Sequence, residues 1–337
     1  MGCFCLNSMA CFLADDLIQK ADPEVYKRGA RLIAAGALVA FPTETVYGLG
    51  ADATDSEAVA AIFAAKGRPS FNPLIVHVAS LAAAKKLADF SPEATRLAEA
   101  FWPGALTLVL PRSKNCPVSE LATAGLPTIA IRVPAHPVAH EFLDAVHTPI
   151  AAPSANRSGH VSPTTAQHVE EDLGAAVSLI IDGGACPLGL ESTIVSVKGK
   201  HVQLLRPGGA TVEDIERVTG GEVDIVSTDS SRPTAPGQLE SHYAPHIPVR
   251  LNATSVDGGE ALLAFGKPLE GAAATLNLSE SENLVEAASN LFAMLRSLDD
   301  RRFKDIAVMP VPGVGLGRAI NDRLKRAAAP RPGAAGD

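Results

Sequence analysis

The chain has 337 residues, of which 47% are hydrophobic and 20% charged, and its formal net charge is −8. That length favours two domains, and the composition is that of a globular chain with a real core. The charge argues against a general nucleic-acid or membrane-surface binder and leaves room only for a local basic cleft.

The longest apolar runs, such as Ala34 to Phe41, are far too short to span a bilayer, so no membrane partner is expected. The five cysteines form no CxxC pair and are scattered. They read as reduced thiols in a cytosolic, cytoplasmic protein. The start, MGCFCLNSMACFLADD, lacks a basic region ahead of its apolar residues and does not read as a secretory signal. Residues 1–20 are expected to be disordered, with Met9 as an alternative initiator.

In chain order, a helix is expected over Pro23 to Ala35 and a strand over Ala37 to Phe41. A hydroxyl- and glycine-rich turn follows, Pro42 to Gly50, and then a helix, Ser56 to Ala65. That helix closes on Lys66-Gly67-Arg68-Pro69, before a strand at Leu74 to Val78. Helices are expected at Leu81 to Ala88 and Pro92 to Ala100, and strands at Leu106 to Leu110 and Thr128 to Val133. Next come a helix at Pro137 to Ala145 and a short strand at Ile150 to Ala152, leading into Pro153 to Gly159. A helix over Thr165 to Leu173 and a strand over Leu179 to Ile181 precede a hairpin, Ser192 to Val197 with Val202 to Leu205. Thr211 caps a helix through Val218. Many short strands and irregular alternation predict a twisted α/β sheet of mixed direction.

Composition shifts near Val223. Residues 223–248 read as a linker that carries His242-Tyr243-Ala244-Pro245. Strands at Ala261 to Phe265, Ala273 to Leu276 and Asp305 to Met309, with helices at Glu282 to Leu298 and Gly317 to Ala328, predict a small Rossmann-like unit over 249–328. The catalytic unit is placed at 21–222, and a disordered tail at 329–337.

Three features suggest chemistry. Lys66 and Arg68 sit at a helix C-terminus, where cations either compensate the helix dipole or bind an anion; Pro69 and Asn72-Pro73 stiffen the loop and tilt the reading towards an anion site. Arg132 interrupts an apolar strand, so it pairs either with a protein carboxylate or with a ligand's. Ser154-Ala155-Asn156 follows a strand and forms either a polar turn or a ligand contact. Gly183-Gly184 and Gly208-Gly209 read as tight turns. Gly313-x-Gly315-x-Gly317 lacks the GxGxxG spacing and reads as the start of a helix. The histidines lack metal-ligand spacing, and no metal site is read.

Together FPTETVYGLG, KGRPSFNPLIVHV, FWPGALTLVL, LPTIAIRVPAHP, APSANRSGHVSPT, LESTIV and LLRPGG occur in this order and closely resemble the YrdC-like family. Its KxR and SxN signatures are here Lys66-Gly67-Arg68 and Ser154-Ala155-Asn156. The resemblance runs from Gly29 to Val218, and the HYAP linker with residues 236–328 resembles the long, two-domain form. It implies a nucleotidyltransferase that joins L-threonine, bicarbonate or CO2, and ATP into L-threonylcarbamoyl-adenylate and pyrophosphate. The product would serve a separate tRNA threonylcarbamoyl transferase complex that modifies adenosine in tRNA; direct contact with tRNA would be weak.

By the same resemblance Thr45, His77, Arg132, Ala152 and Ser192 would face threonine. Arg68, Asn72, Thr128, Ser154, Asn156, Ser162, Arg206 and Tyr243 would face ATP, and Lys66 and Arg68 would neutralise its phosphates. Mg2+ would arrive with ATP, and no prosthetic group is implied. Tyr243 would make the linker a lid. Two rival readings are a double-stranded RNA- or tRNA-binding module without this activity, and a carbamoyl-adenylate enzyme like part of the hydrogenase maturation proteins. The charge weakens the first. The second lacks its acylphosphatase and zinc-finger regions.

Overall fold

The computed structural model describes residues 16–225 and 241–330. The first unit contains β1 (Ile18–Lys20), α1 (Pro23–Ala34), β2 (Val39–Phe41), β3 (Gly48–Asp52), α2 (Ser56–Lys66), β4 (Ile75–His77), α3 (Leu81–Ala84) and α4 (Pro92–Phe101). It continues with β5 (Leu106–Pro111), β6 (Thr128–Arg132), α5 (Pro137–Val146), β7 (Ile150–Ala151), α6 (Ala166–Leu173), β8 (Leu179–Asp182), β9 (Thr193–Lys198), β10 (His201–Arg206), α7 (Val212–Thr219) and β11 (Asp224–Ile225). The second unit contains β12 (Val249–Arg250), β13 (Ala261–Ala264), β14 (Ala274–Asn277), α8 (Leu284–Leu298), β15 (Ile306–Val308) and α9 (Leu316–Ala327).

The large sheet runs β1-β8-β2-β3-β7-β4-β6-β5-β9-β10-β11. Its direction is mixed: β4 pairs parallel with β6 and antiparallel with β7, and β5 pairs parallel with β9 and antiparallel with β6. The small sheet, β12-β15-β13-β14, is parallel throughout, with α8 and α9 packed on it. Both sheets match the expected classes.

Four differences separate the fold from the reading of the sequence. Ile18–Lys20 is not disordered: it forms the edge strand, paired in parallel with β8. Its three residues carry no pattern of their own and gain their order from that neighbour. The expected turn ends in β3, a Gly-rich strand with no alternation to betray it. The expected helix at Leu81 to Ala88 stops at Ala84. The large sheet also extends past residue 222 through β11, which pairs with β10. The cysteines near the N-terminus, residues 226–240 of the linker and residues 331–337 lie outside the described residues.

Alternate strand residues face opposite ways, and the core divides accordingly. Ile180 lies on the face whose apolar cluster takes in side chains of α2, α4, α6 and α7, including Ile62, Leu97, Val169 and Ile215. Leu179 and Ile181 pack on the other face with α1 and α5, through Ile33 and Phe142. Ile75 and Ala130 lie in a separate apolar patch, and their period-two neighbours His77 and Arg132 accompany them on β4 and β6. This part of the sheet forms a wall of a cleft.

The second unit packs beside it. Val46, Val161 and Leu190 of the first unit share one apolar cluster with Tyr243, Leu291 and Phe292. Gly189, at φ +70°, lets the backbone of Ser289 approach so closely that a Cβ would stand 2.6 Å from its carbonyl oxygen. Arg296 on α8 adds an ion pair to Asp172, with 2.6 Å between Nη2 and Oδ2.

A candidate active site between sheet and linker

The cleft encloses about 540 Å³, including space open to solvent. Its lining contains Thr45, Arg68, His77, Arg132, Ala152, Ser154, Ser192, Arg206 and Tyr243 from the expected set. Lys66, Asn72, Thr128, Asn156 and Ser162 do not line it.

On one side stands Arg132, at the end of β6. Its Nη2 lies 2.6 Å from Glu44 Oε1, its Nη1 donates to Thr45 Oγ1 at 2.8 Å, and its Nε donates to Gly104 O at 3.1 Å. Thr45 in turn meets Thr43 Oγ1 at 2.7 Å, and Thr43 donates to Val46 O at 2.7 Å. Since the guanidinium can only donate, the hydroxyls align as one relay from Arg132 to the Val46 carbonyl. His77 stands next to Arg132 in register across β4 and β6. Burial, and then the charge of Arg132, drives its pKa down to about 3, so the ring is neutral.

On the other side are Arg68 and Arg206. Arg68 donates to Asn72 O at 3.3 Å and Pro73 O at 3.0 Å, which fixes its fork. Arg206 donates to Ser192 O through Nη2 at 2.8 Å and Nε at 3.2 Å. Ser192 Oγ lies 2.8 Å from Thr107 Oγ1. The RPGG turn presses onto the segment that enters β9: a Cβ on Gly208 would stand 2.3 Å from Glu191 O. That approach is open only to glycine and holds Arg206 against Ser192.

The two cations of the KxR signature part company. Lys66 is buried and points behind the cleft, donating to Ser154 O and Asn156 O at 2.5 Å each. Of the two cations expected to face phosphate, only Arg68 lines the cleft. The ammonium is committed to the SxN loop, and burial drives its pKa well below the ordinary lysine value. Gly67 is the left-handed C-cap (φ 58°) of α2 and turns the chain between the two side chains.

Asn156 completes the loop rather than the lining. It accepts from Ser154 Oγ at 2.6 Å and donates to Arg157 O and His160 O. Ser162 donates to Glu191 Oε1 at 2.5 Å. Asn72 is fully buried beside Arg68, and its carboxamide has no hydrogen-bond partner among the described residues. Thr128 begins β6, four residues and about 13 Å along the strand from Arg132.

Tyr243 covers the cleft from the linker. It is fully buried, stacked on Phe292 with centroids 5.4 Å apart, and Ala244 N binds Gly159 O at 2.9 Å. Sequence reasoning missed Glu44, Glu191 and His242. The first two were legible as carboxylates inside motifs already quoted, PTET and LEST. His242 was visible in HYAP.

Buried neutral histidines set an acid limit. His77 is held at about 3, and burial followed by Arg68 drives His242 well below 6.5. The unfolded chain protonates near pH 6.5, so their contribution is complete above that pH. It declines as pH falls towards the folded values, by about 1.4 kcal/mol per pH unit for each ring. The melting temperature is expected to fall between pH 7.5 and pH 5.5, and less steeply in His77→Gln. Equal melting at both pH values would contradict this.

Comparison with known proteins agrees with this geometry. The family model described as telomere recombination, covering Sua5, YciO and YrdC, matches residues 31–208. The model described as threonylcarbamoyl-AMP synthase, C-terminal domain, matches residues 210–329. A Bacillus subtilis protein named threonylcarbamoyl-AMP synthase is 41% identical, over 94% of this chain and 96% of its own. Its namesake from Pyrococcus abyssi is 43% identical, over 88% of this chain and 92% of its own. The crystal structure of P. abyssi Sua5 complexed with L-threonine superposes with a TM-score of 0.85 at 39% identity, covering 93% of this chain and 98% of that one. The chain belongs to the Sua5/YciO/YrdC family, in the form that carries the threonylcarbamoyl-AMP synthase C-terminal domain.

Proposed function

We propose that the chain is a threonylcarbamoyl-AMP synthase. It converts L-threonine, bicarbonate or CO2, and ATP into L-threonylcarbamoyl-adenylate and pyrophosphate. The observation that carries this reading is a single covered cleft that holds Arg132 with its hydroxyl relay, and Arg68 with Arg206. A carboxylate suits the first group, because a planar guanidinium takes it in two hydrogen bonds. A polyphosphate suits the second, as two buried guanidiniums in a dry site act strongly on charge.

In this reading threonine lies against Thr45, His77, Arg132, the Ala152 backbone and Ser192. Its neutral amine takes up CO2 and releases a proton to solvent, and the resulting carbamate oxygen attacks the α-phosphorus. The bond to the β-phosphate oxygen breaks, and pyrophosphate leaves with that electron pair. The carbamate is itself the nucleophile, so the side chains only position it and neutralise charge. Arg68 and Arg206 face the phosphates with Ser154. Lys66 and Asn156 hold the loop that presents Ser154, and Asn72 and Ser162 support Arg68 and Glu191. Neutral His77 orients rather than transfers protons near neutral pH. Tyr243 closes the linker over the product, which water would hydrolyse.

Mg2+ arrives on the triphosphate. Among the described residues no three His, Cys, Asp or Glu side chains could hold a metal ion together, and the cleft's carboxylates, Glu44 and Glu191, are each held by an arginine. The reaction belongs in the cytoplasm, where its product would pass to a separate tRNA-modifying transferase complex. No helix among the described residues is long and apolar enough to cross a membrane. The reading as an RNA-binding module is not favoured: Lys66, Arg68, Arg132, Arg206 and Arg323 are all buried and present no basic face to a duplex.

The test is pyrophosphate release by the purified chain with MgATP. Release is expected to require both threonine and bicarbonate. Release that is indifferent to threonine would overturn the proposal.

A further inference from the structure

The second unit places a charge at the wall of the cleft. Arg323 of α9 is the largest fully buried side chain. Its Nε donates to Glu191 Oε2 at 2.7 Å, and its Nη1 to Pro207 O at 3.0 Å and Asp322 Oδ2 at 2.7 Å. Its guanidinium carbon lies 5.1 Å from the centroid of the Tyr243 ring. Among the described residues Nη2 has no hydrogen-bond partner.

Glu191, Pro207 and Tyr243 adjoin the Arg206 side of the cleft. Glu191 lines the cleft, directly precedes Ser192 and receives Ser162 Oγ on its other oxygen. Pro207 directly follows Arg206. Tyr243 is the linker residue that covers the site. The linker is tied to the same helix, since His242 N binds Arg326 O at 3.2 Å.

We propose that Arg323 is a positioning residue for the nucleotide side of the cleft, so that the second unit completes the active site instead of merely abutting it. This rests on the reading that the cleft takes ATP. One rigid fork draws Glu191, Pro207 and Tyr243 onto a common point, which fixes the segment whose carbonyl holds Arg206, the turn that carries Arg206, and the cover. It also matches the negative charge of Glu191, a buried carboxylate that would otherwise stand beside the site for a polyanion. Remove Arg323, and that charge opposes the triphosphate while the wall loses its tie.

The full chain carrying Arg323→Met, Arg323→Lys, or Arg323→Met with Glu191→Gln tests this by steady-state pyrophosphate release. Calorimetric binding of a non-hydrolysable ATP analogue runs in parallel. Arg323→Met is expected to raise the KM for ATP and the analogue's Kd at least about tenfold, with the threonine KM within about twofold. Adding Glu191→Gln, which removes the unmatched charge, is expected to recover at least about threefold of the loss. Arg323→Lys keeps the charge without the fork. It is expected to cost about threefold, and it decides the matter should the methionine variant not fold. A purely structural role predicts equal changes for both substrates and no recovery in the double variant; either result overturns the proposal, as does an unchanged ATP KM. A wild-type chain that releases no pyrophosphate would instead count against the enzymatic reading, and the analogue's Kd still decides the role of Arg323.

Discussion

Arg132→Met is expected to raise the threonine KM about 10²- to 10³-fold while leaving ATP-analogue binding within a few-fold of wild type. Truncating one member of a buried charged pair costs about 2–5 kcal/mol, and each 1.4 kcal/mol is tenfold. Arg132 is almost wholly buried, donates to Thr45 and Gly104, and is ion-paired with Glu44. Its place is therefore set before any amino acid arrives. A ligand carboxylate must share that guanidinium with Glu44, whose other oxygen receives Ala135 N at 3.1 Å. The methionine variant leaves Glu44 without its cation, so it should also lose stability. Threonine-induced shifts in melting temperature, read against the variant's own baseline, separate that loss from the binding defect. A threonine KM within about fivefold of wild type would remove Arg132 from the amino-acid side.

Of the two readings of Arg132 open to sequence alone, the structure shows the protein carboxylate, Glu44, and a ligand's carboxylate belongs to the proposed function. The residue was legible because a charge in TIAIR breaks an apolar strand that must be buried. Strands with β-branched runs, such as IVH, LIID and TIVSVK, were legible for the same reason: their pattern is local. Ile18–Lys20 was not, because its order depends on β8, some 160 residues away in sequence. Gly48–Asp52 was hidden by its glycines, which suggest a turn while serving a strand. In the site, spacing placed Lys66 and Arg68 together but could not say that Gly67 turns them apart. Arg323 was invisible as a site residue. Its partner Glu191 lies 132 positions earlier, and only the docking of the second unit brings the two into contact. Motif order therefore revealed the cleft's contents, whereas division of labour within it depended on backbone turns and domain packing.

The consequence is sharpest at Arg68, the one cation of the KxR signature that lines the cleft and so, in the proposed reading, the one that would meet phosphate. Arg68→Met is expected to lower kcat/KM for ATP about 10²- to 10³-fold, the loss typical when one preorganised donor to developing charge is removed from a dry site. Its carbonyl partners, Asn72 and Pro73, hold the guanidinium without cancelling its charge. Burial first, and Arg206 next, pull its pKa down to about 10, which still leaves it charged at neutral pH. Lysine is a poor substitute here. A lysine would place a point charge there without the fork that Asn72 O and Pro73 O hold. Arg68→Lys should therefore recover little of the methionine variant's loss at pH 7.5. Full recovery at pH 7.5 would show that a simple point charge suffices. Lys66→Met should act differently, weakening both substrates through the displaced Ser154–Asn156 loop, because its ammonium binds that loop and not the cleft.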